Sequence, residues 1–150
     1  MPVGAPHVMR WMAKFVDAWQ RKDGHAAAAL FTPDAVFHAI PGVAKQMFTG
    51  HEEIRRYWER VAQPQSDVEV LLGEPLIQGD TAAVEMWVTL RNTKTNPDDG
   101  HWITLIETNI LDFAEDGRCR RCVEYFNVRM GRLEPPPGWG HRSAVGAGSG

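Results

Sequence analysis

Apolar residues recur at three- and four-residue steps near the start of the chain. Val8, Trp11, Met12, Phe15, Val16 and Trp19 fall on one face, which predicts an amphipathic helix over residues 8–22. Lys22-Asp23-Gly24 ends it. His25 to Phe31, rich in alanine, predicts a second short helix, broken at Thr32-Pro33-Asp34. Ala35 to Ile40 reads as a short strand closed by Pro41-Gly42. A third helix is expected from His51 to Ala62, with Ile54, Tyr57, Trp58 and Val61 on its apolar face. The period then drops from 3.6 to 2. Asp67–Leu72, Thr81–Arg91, His101–Phe113 and Arg118–Met130 predict four strands, separated by turns at Gly79-Asp80, at the polar loop Asn92–Gly100 and at Glu115-Asp116-Gly117. Helices gathered ahead of an antiparallel meander predict an α+β domain.

Length and composition narrow the class. The chain has 150 residues, 43% of them hydrophobic and 23% charged, as an ordinary single globular domain does. A net charge of −3 leaves no basic footprint for nucleic acid. No apolar run reaches the ~20 residues of a membrane helix, and no leader pattern opens the chain, so a soluble cytoplasmic protein is expected. The expected organisation is a flexible N-terminus over 1–7, one domain over 8–134 and a flexible Pro/Gly-rich tail over 135–150, with ordered structure ending at Pro135-Pro136-Pro137.

Several chemistries lack their motifs. Serine occurs only at positions 66, 143 and 149, none in a nucleophile elbow. Glycine-rich phosphate loops and the two-histidine zinc helix motif do not occur, so no cofactor and no metal are expected. Cys119-Arg120-Arg121-Cys122 lies in a predicted strand, where the sulfurs would point to opposite faces, a poor arrangement for a redox pair.

The order of four segments carries a resemblance: Leu30-Phe31-Thr32-Pro33-Asp34-Ala35-Val36-Phe37-His38-Ala39-Ile40-Pro41, then Thr49-Gly50-His51-Glu52-Glu53-Ile54, then Phe113-Ala114-Glu115-Asp116-Gly117-Arg118, then Glu124-Tyr125-Phe126-Asn127. Over residues 8–134 the chain resembles the nuclear transport factor 2-like superfamily, in its SnoaL-like polyketide cyclase and limonene-epoxide-hydrolase-like branch. The resemblance implies a cone-shaped curved antiparallel sheet around a deep apolar pocket closed by three N-terminal helices. Where ketosteroid isomerases of this fold carry a tyrosine, a base and an acid, this chain has Phe15, Ala39 and Asn109. Where epoxide hydrolases carry their polar and acidic groups, it has Phe37, Ala39, Met86, Val88 and Asn127. Where polyketide cyclases use an acid, it again has Asn127.

Strand alternation combined with the resemblance selects the interior. Leu105, Glu107 and Asn109 are expected to line the cone from the fourth of these strands, and Val123, Tyr125 and Asn127 from the last. Phe15, Trp19, Phe37, Ala39, Ile40, Trp58, Val70, Leu72, Met86, Val88 and Leu105 are the expected substrate-binding residues. Glu107 is the one acid placed inside. Desolvation should raise its pKa and suit it to general acid/base work, with Asn109, Tyr125 and Asn127 as hydrogen-bonding partners and His38 as a further candidate base. A structural alternative pairs Glu107 with Arg121 or Arg129.

The expected function is cofactor-independent acid–base isomerisation, cyclisation or hydrolysis of an apolar terpenoid, steroid or polyketide-like substrate. The alternatives are an epoxide hydrolase with altered acids and a non-catalytic hydrophobic-ligand-binding dimer module. Trp87, Trp102, Ile106, Ile110 and Phe126 are expected to form an apolar outer sheet face, which predicts a homodimer and a hydrophobic small molecule, rather than nucleic acid or membrane, as partners.

Overall fold

The computed structural model describes residues 2–93 and 101–141. Helix α1 spans Ala5–Gln20 and starts three residues before the expected Val8, because Pro6 stands in its first turn, where the missing N–H costs nothing. Its apolar stripe, Val8, Trp11, Met12, Phe15, Ala18 and Trp19, is buried. Helix α2, Gly24–Ala29, is capped by Asp23, whose carboxylate accepts from the Ala26 N–H at 2.9 Å. Gly24 is required by close packing. A Cβ there would stand 2.8 Å from the Arg55 carbonyl oxygen of α3, Gly50–Ala62. The first turn of α3 carries Glu52 and Glu53 and its last turn Arg60, matching the helix dipole.

Seven strands form one sheet: β1 Phe31–His38, β2 Met47–Thr49, β3 Gln65–Leu72, β4 Leu76–Gln78, β5 Thr81–Asn92, β6 His101–Phe113 and β7 Cys119–Met130. Their order is β2-β1-β7-β6-β5-β3, with β4 beside β5. The expected cone is present, but its sheet is mixed rather than wholly antiparallel, since β1 runs parallel to β7. Two short strands, β2 and β4, carry too few residues for a period to be visible. The expected break at Thr32-Pro33-Asp34 is instead an irregularity inside β1, where the register to β7 shifts between Phe31 and Val36.

The helices cover one face of the sheet. Between them lies a core in which Phe31, Phe37, Phe113, Met12, Ile54, Met86, Leu90 and Leu111 are fully buried. Rings interlock there: Trp11 stands edge-on to Phe31 and Phe113, and Phe37 packs against Tyr57 and Trp58. Two of the helix tryptophans satisfy their N–H groups, Trp11 on the Leu30 carbonyl and Trp19 on the Gln65 amide oxygen.

Residues 131–141 stay on the body instead of leaving it at Pro135. The Gly131 N–H donates to the Trp102 carbonyl, and the Trp139 ring meets Trp87 edge-on while its Nε1–H donates to Glu85. This strap lies over part of the outer sheet face, because the large rings there offer it apolar surface. The expected tail over 143–150 and most of the expected loop 92–100 lie outside the described residues. No helix among the described residues is long and apolar enough to cross a membrane.

Candidate active site

The site is set by the phase of two strands. Along β6 the inward residues are Ile103, Leu105, Glu107, Asn109, Leu111 and Phe113, as expected. Met86 and Val84 of β5 lie opposite Glu107 and Asn109 on the same face. On β7 the expected inward set is wrong by one residue. Phe113 pairs with Cys119, but Asp112 pairs with Arg121, so Arg120 is a bulge. An extra residue flips every later side chain to the other face. Cys122, Glu124, Phe126 and Val128 therefore point inward, opposite Leu111, Asn109, Glu107 and Leu105. Tyr125 and Asn127 point outward, and Tyr125 is 55% exposed, so neither lines the cone. Phe126 likewise leaves the expected outer patch and stands at the cavity mouth.

The same bulge turns both cysteines inward. They are free and buried, and burial pushes the Cys119 thiol up to about 12 and the Cys122 thiol well above its ordinary value. Thiols so held are poor nucleophiles at neutral pH.

A second acid thus enters the interior. Glu107 is 5% exposed and Glu124 is 4% exposed. They sit diagonally across β6 and β7, since Glu107 faces Phe126 and Glu124 faces Asn109. Glu107 Oε2, Glu124 Oε1 and both amide atoms of Asn109 are buried without a hydrogen-bond partner, as is Trp58 Nε1. The ion pair with Arg121 or Arg129, weighed as the structural alternative, is absent among the described residues. Arg121 instead approaches Asp112 at 3.6 Å, and Arg129 is exposed.

Without a counter-charge, desolvation governs both acids. Burial pushes Glu107 up to about 8. Glu124 is raised as well, first by burial and then by repulsion from a charged Glu107. Repulsion between the two therefore disfavours their ionising together. Tyr57 on α3 is also held in its neutral form, chiefly by burial.

Both acids open onto a cavity of about 230 Å³ between α1, α3 and the ends of β6 and β7. Its walls include Trp19, Tyr57, Trp58, Val61, Ile103, Leu105, Phe126 and Val128. Among the expected binding residues, Trp19, Trp58 and Leu105 line it. Phe15, Phe37, Ala39, Met86 and Val88 are buried in the core beyond it, and Val70 and Leu72 are partly buried against that core. Ile40 is 40% exposed at the end of β1. His38 is half-buried on the outer face beside Val123, so it does not reach the acids. No cluster of three or more His, Cys, Asp or Glu side chains placed to hold a metal occurs among the described residues.

The profile of the SnoaL-like domain matches residues 12–122. No curated protein sequence matches the chain. Among solved structures it is similar to the epoxide hydrolase/cyclase-like enzyme SalBIII, which has a role in pyran ring formation in the polyether salinomycin. That similarity has a TM-score of 0.67 at 15% sequence identity, over 81% of this chain and 94% of that one. At that identity the likeness is one of fold. The profile match covers most of the chain, from the first helix to the strand that carries Glu124, and the chain belongs to the SnoaL-like domain family.

Proposed function

We propose that the cavity is the active site of a cofactor-independent enzyme that moves protons on an apolar substrate, in an isomerisation, cyclisation or hydrolysis. The observation that carries this reading is the pair of buried carboxyls, Glu107 and Glu124, with no cationic partner among the described residues, at the floor of an aromatic-walled cavity. A carboxyl buried without a partner costs stability, so a wholly structural pair would be unfavourable.

The two environments divide the roles. With one member ionised and its neighbour protonated, Glu107 serves as the base and Glu124 as the acid. In a ring closure, Glu107 takes the proton of an attacking hydroxyl while Glu124 protonates the departing oxygen, such as that of an epoxide. With water as nucleophile the same transfers give hydrolysis. Each turnover leaves Glu107 protonated and Glu124 ionised, and proton exchange between them resets the pair. Cyclase chemistry in the fold relative SalBIII supports the reaction class.

The test is turnover of a panel of hydroxy-epoxides, followed by mass spectrometry. Glu107→Gln keeps the shape and removes the titrating group, and should lower turnover by about 10²–10⁴-fold. Retention of activity within a few-fold in that variant sinks the enzyme and leaves a binding module.

We also infer a homodimer through the outer sheet face. Tyr125 is exposed there, and Ile106 and Ile110 are only half-buried beside the strap. Light scattering at micromolar concentration should give twice the chain mass; a monomer overturns the inference.

A further inference from the structure

The cavity has acids but no base opposite them. Among the described residues, no Lys, Arg or His lines it. The nearest cation on α3, Arg60, lies over Phe48 and Tyr57 and borders a different hollow. Four rings of the wall, Trp19, Tyr57, Trp58 and Phe126, stand around the two acids. Aromatic faces attract a cation within about 6 Å, most strongly where water is excluded. A buried carboxyl pair also needs positive charge beside it before it ionises readily. Both demands are met by one kind of ligand.

We propose that the substrate of this cavity carries a cationic nitrogen, an apolar ammonium whose charge meets the Glu107–Glu124 carboxyl pair, with one member ionised, while its hydrocarbon contacts the Trp19, Tyr57, Trp58 and Phe126 rings. The proposal rests on the cavity being the substrate site and adds the chemical class. An ammonium supplies donors to the orphaned Glu107 Oε2 and Glu124 Oε1, which have no hydrogen-bond partner among the described residues. Anionic ligands are disfavoured, since two acids and no base would face them.

Binding must then expel a proton. The pair is held protonated by burial, and the incoming charge favours its ionised form. The other titratable groups near it, Tyr57 from α3 and Cys122 from β7, are raised by burial and stay neutral, so the acids supply the proton.

Isothermal titration calorimetry on the full chain, with benzylamine, benzyl alcohol and benzoate as probes, tests this at pH 7. The expected result is benzylamine tighter than benzyl alcohol by about tenfold, with benzoate undetectable. Repeating the benzylamine titration in two buffers of different ionisation heat should show release of about one proton. Glu107→Gln should reduce the amine preference to about twofold, and Glu124→Gln gives the same readout if the first variant folds poorly. Equal or tighter binding of the alcohol, or no binding of any probe at millimolar concentration, overturns the proposal. An alcohol preference, with turnover still lost in Glu107→Gln, removes the cation and keeps the proton-transfer enzyme. An amine preference with turnover retained does the reverse.

Discussion

Strands β6 and β7 serve opposite purposes at their two ends, although one continuous inner face runs through both. At one end Leu111, Phe113, Cys119 and Cys122 are buried against Phe31 and Phe37. At the other, Glu107 and Glu124 face a cavity, and Val128 beyond them is 51% exposed. The packed end has an aromatic helix layer over it, and β1 runs beside β7 as far as Val123. Past Val123, β7 continues to Met130 without β1 as a neighbour, and the interior opens. One end stores stability and the other tolerates unpartnered polar atoms. Each buried unsatisfied group costs about 1–3 kcal/mol, so the open end is sustained by the closed one.

The comparison breaks most sharply at Phe37. Truncation by Phe37→Ala leaves a void among Phe31, Tyr57 and Trp58. It should lower stability by about 3–5 kcal/mol in chemical denaturation. A loss below 1 kcal/mol would mean that the closed end is not the stabilising one.

The next effect separates the ends by pH. Glu107 is raised from 4.5 to about 8 in the folded chain, so the folded state binds more protons than the unfolded one in that window. Its contribution is whole below pH 4.5 and is lost as pH rises through about 8. Stability should fall across this window by at most about 1.4 kcal/mol per pH unit for that proton. Glu107→Gln should reduce the slope and leave the part that the raised Glu124 carries, whereas Phe37→Ala should shift the whole curve and leave the slope. A wild-type profile that rises over this window rules out the neutral buried acid.

The smallest effects sharpen the boundary between the two sheet faces. Tyr125→Phe and Asn127→Ala lie outside the cone and should each change stability by under about 0.5 kcal/mol. Neither should change turnover beyond twofold, whereas an interior role would show as a loss of the size expected for Glu107→Gln.

Much of this arrangement is legible in the sequence. The 3.6-residue stripe of Val8, Trp11, Met12, Phe15 and Trp19 and the two-residue alternation of Val84, Met86, Val88 and Leu90 mark their buried faces correctly, because each period is local to one element. Alternation puts Glu107 on one face of an unbroken strand with Leu105 and Asn109, and the family resemblance is what chose that face as the interior, since both faces are partly apolar. Glu124 is missed for a physical reason. Alternation counted from the start of β7 assumes an unbroken ladder, and the Arg120 bulge displaces the count by one. A signal was present: with Cys119 inward, strict alternation buries Arg121 and Asn127 and exposes Cys122 and Phe126, against the usual preferences of those residues. The strap at Trp139 is missed because Pro135-Pro136-Pro137 stops regular structure without stopping packing.

Residue type and spacing alone determined the α+β order of elements and the apolar helix faces, since these follow from backbone periods within single segments, and the family resemblance added one interior acid. Only the tertiary structure decided the partner of that acid, the walls of the cavity and the absence of a counter-charge along it among the described residues. Those depend on register between strands far apart in the chain, where one bulged residue exchanges Tyr125 and Asn127 for Glu124 and Phe126.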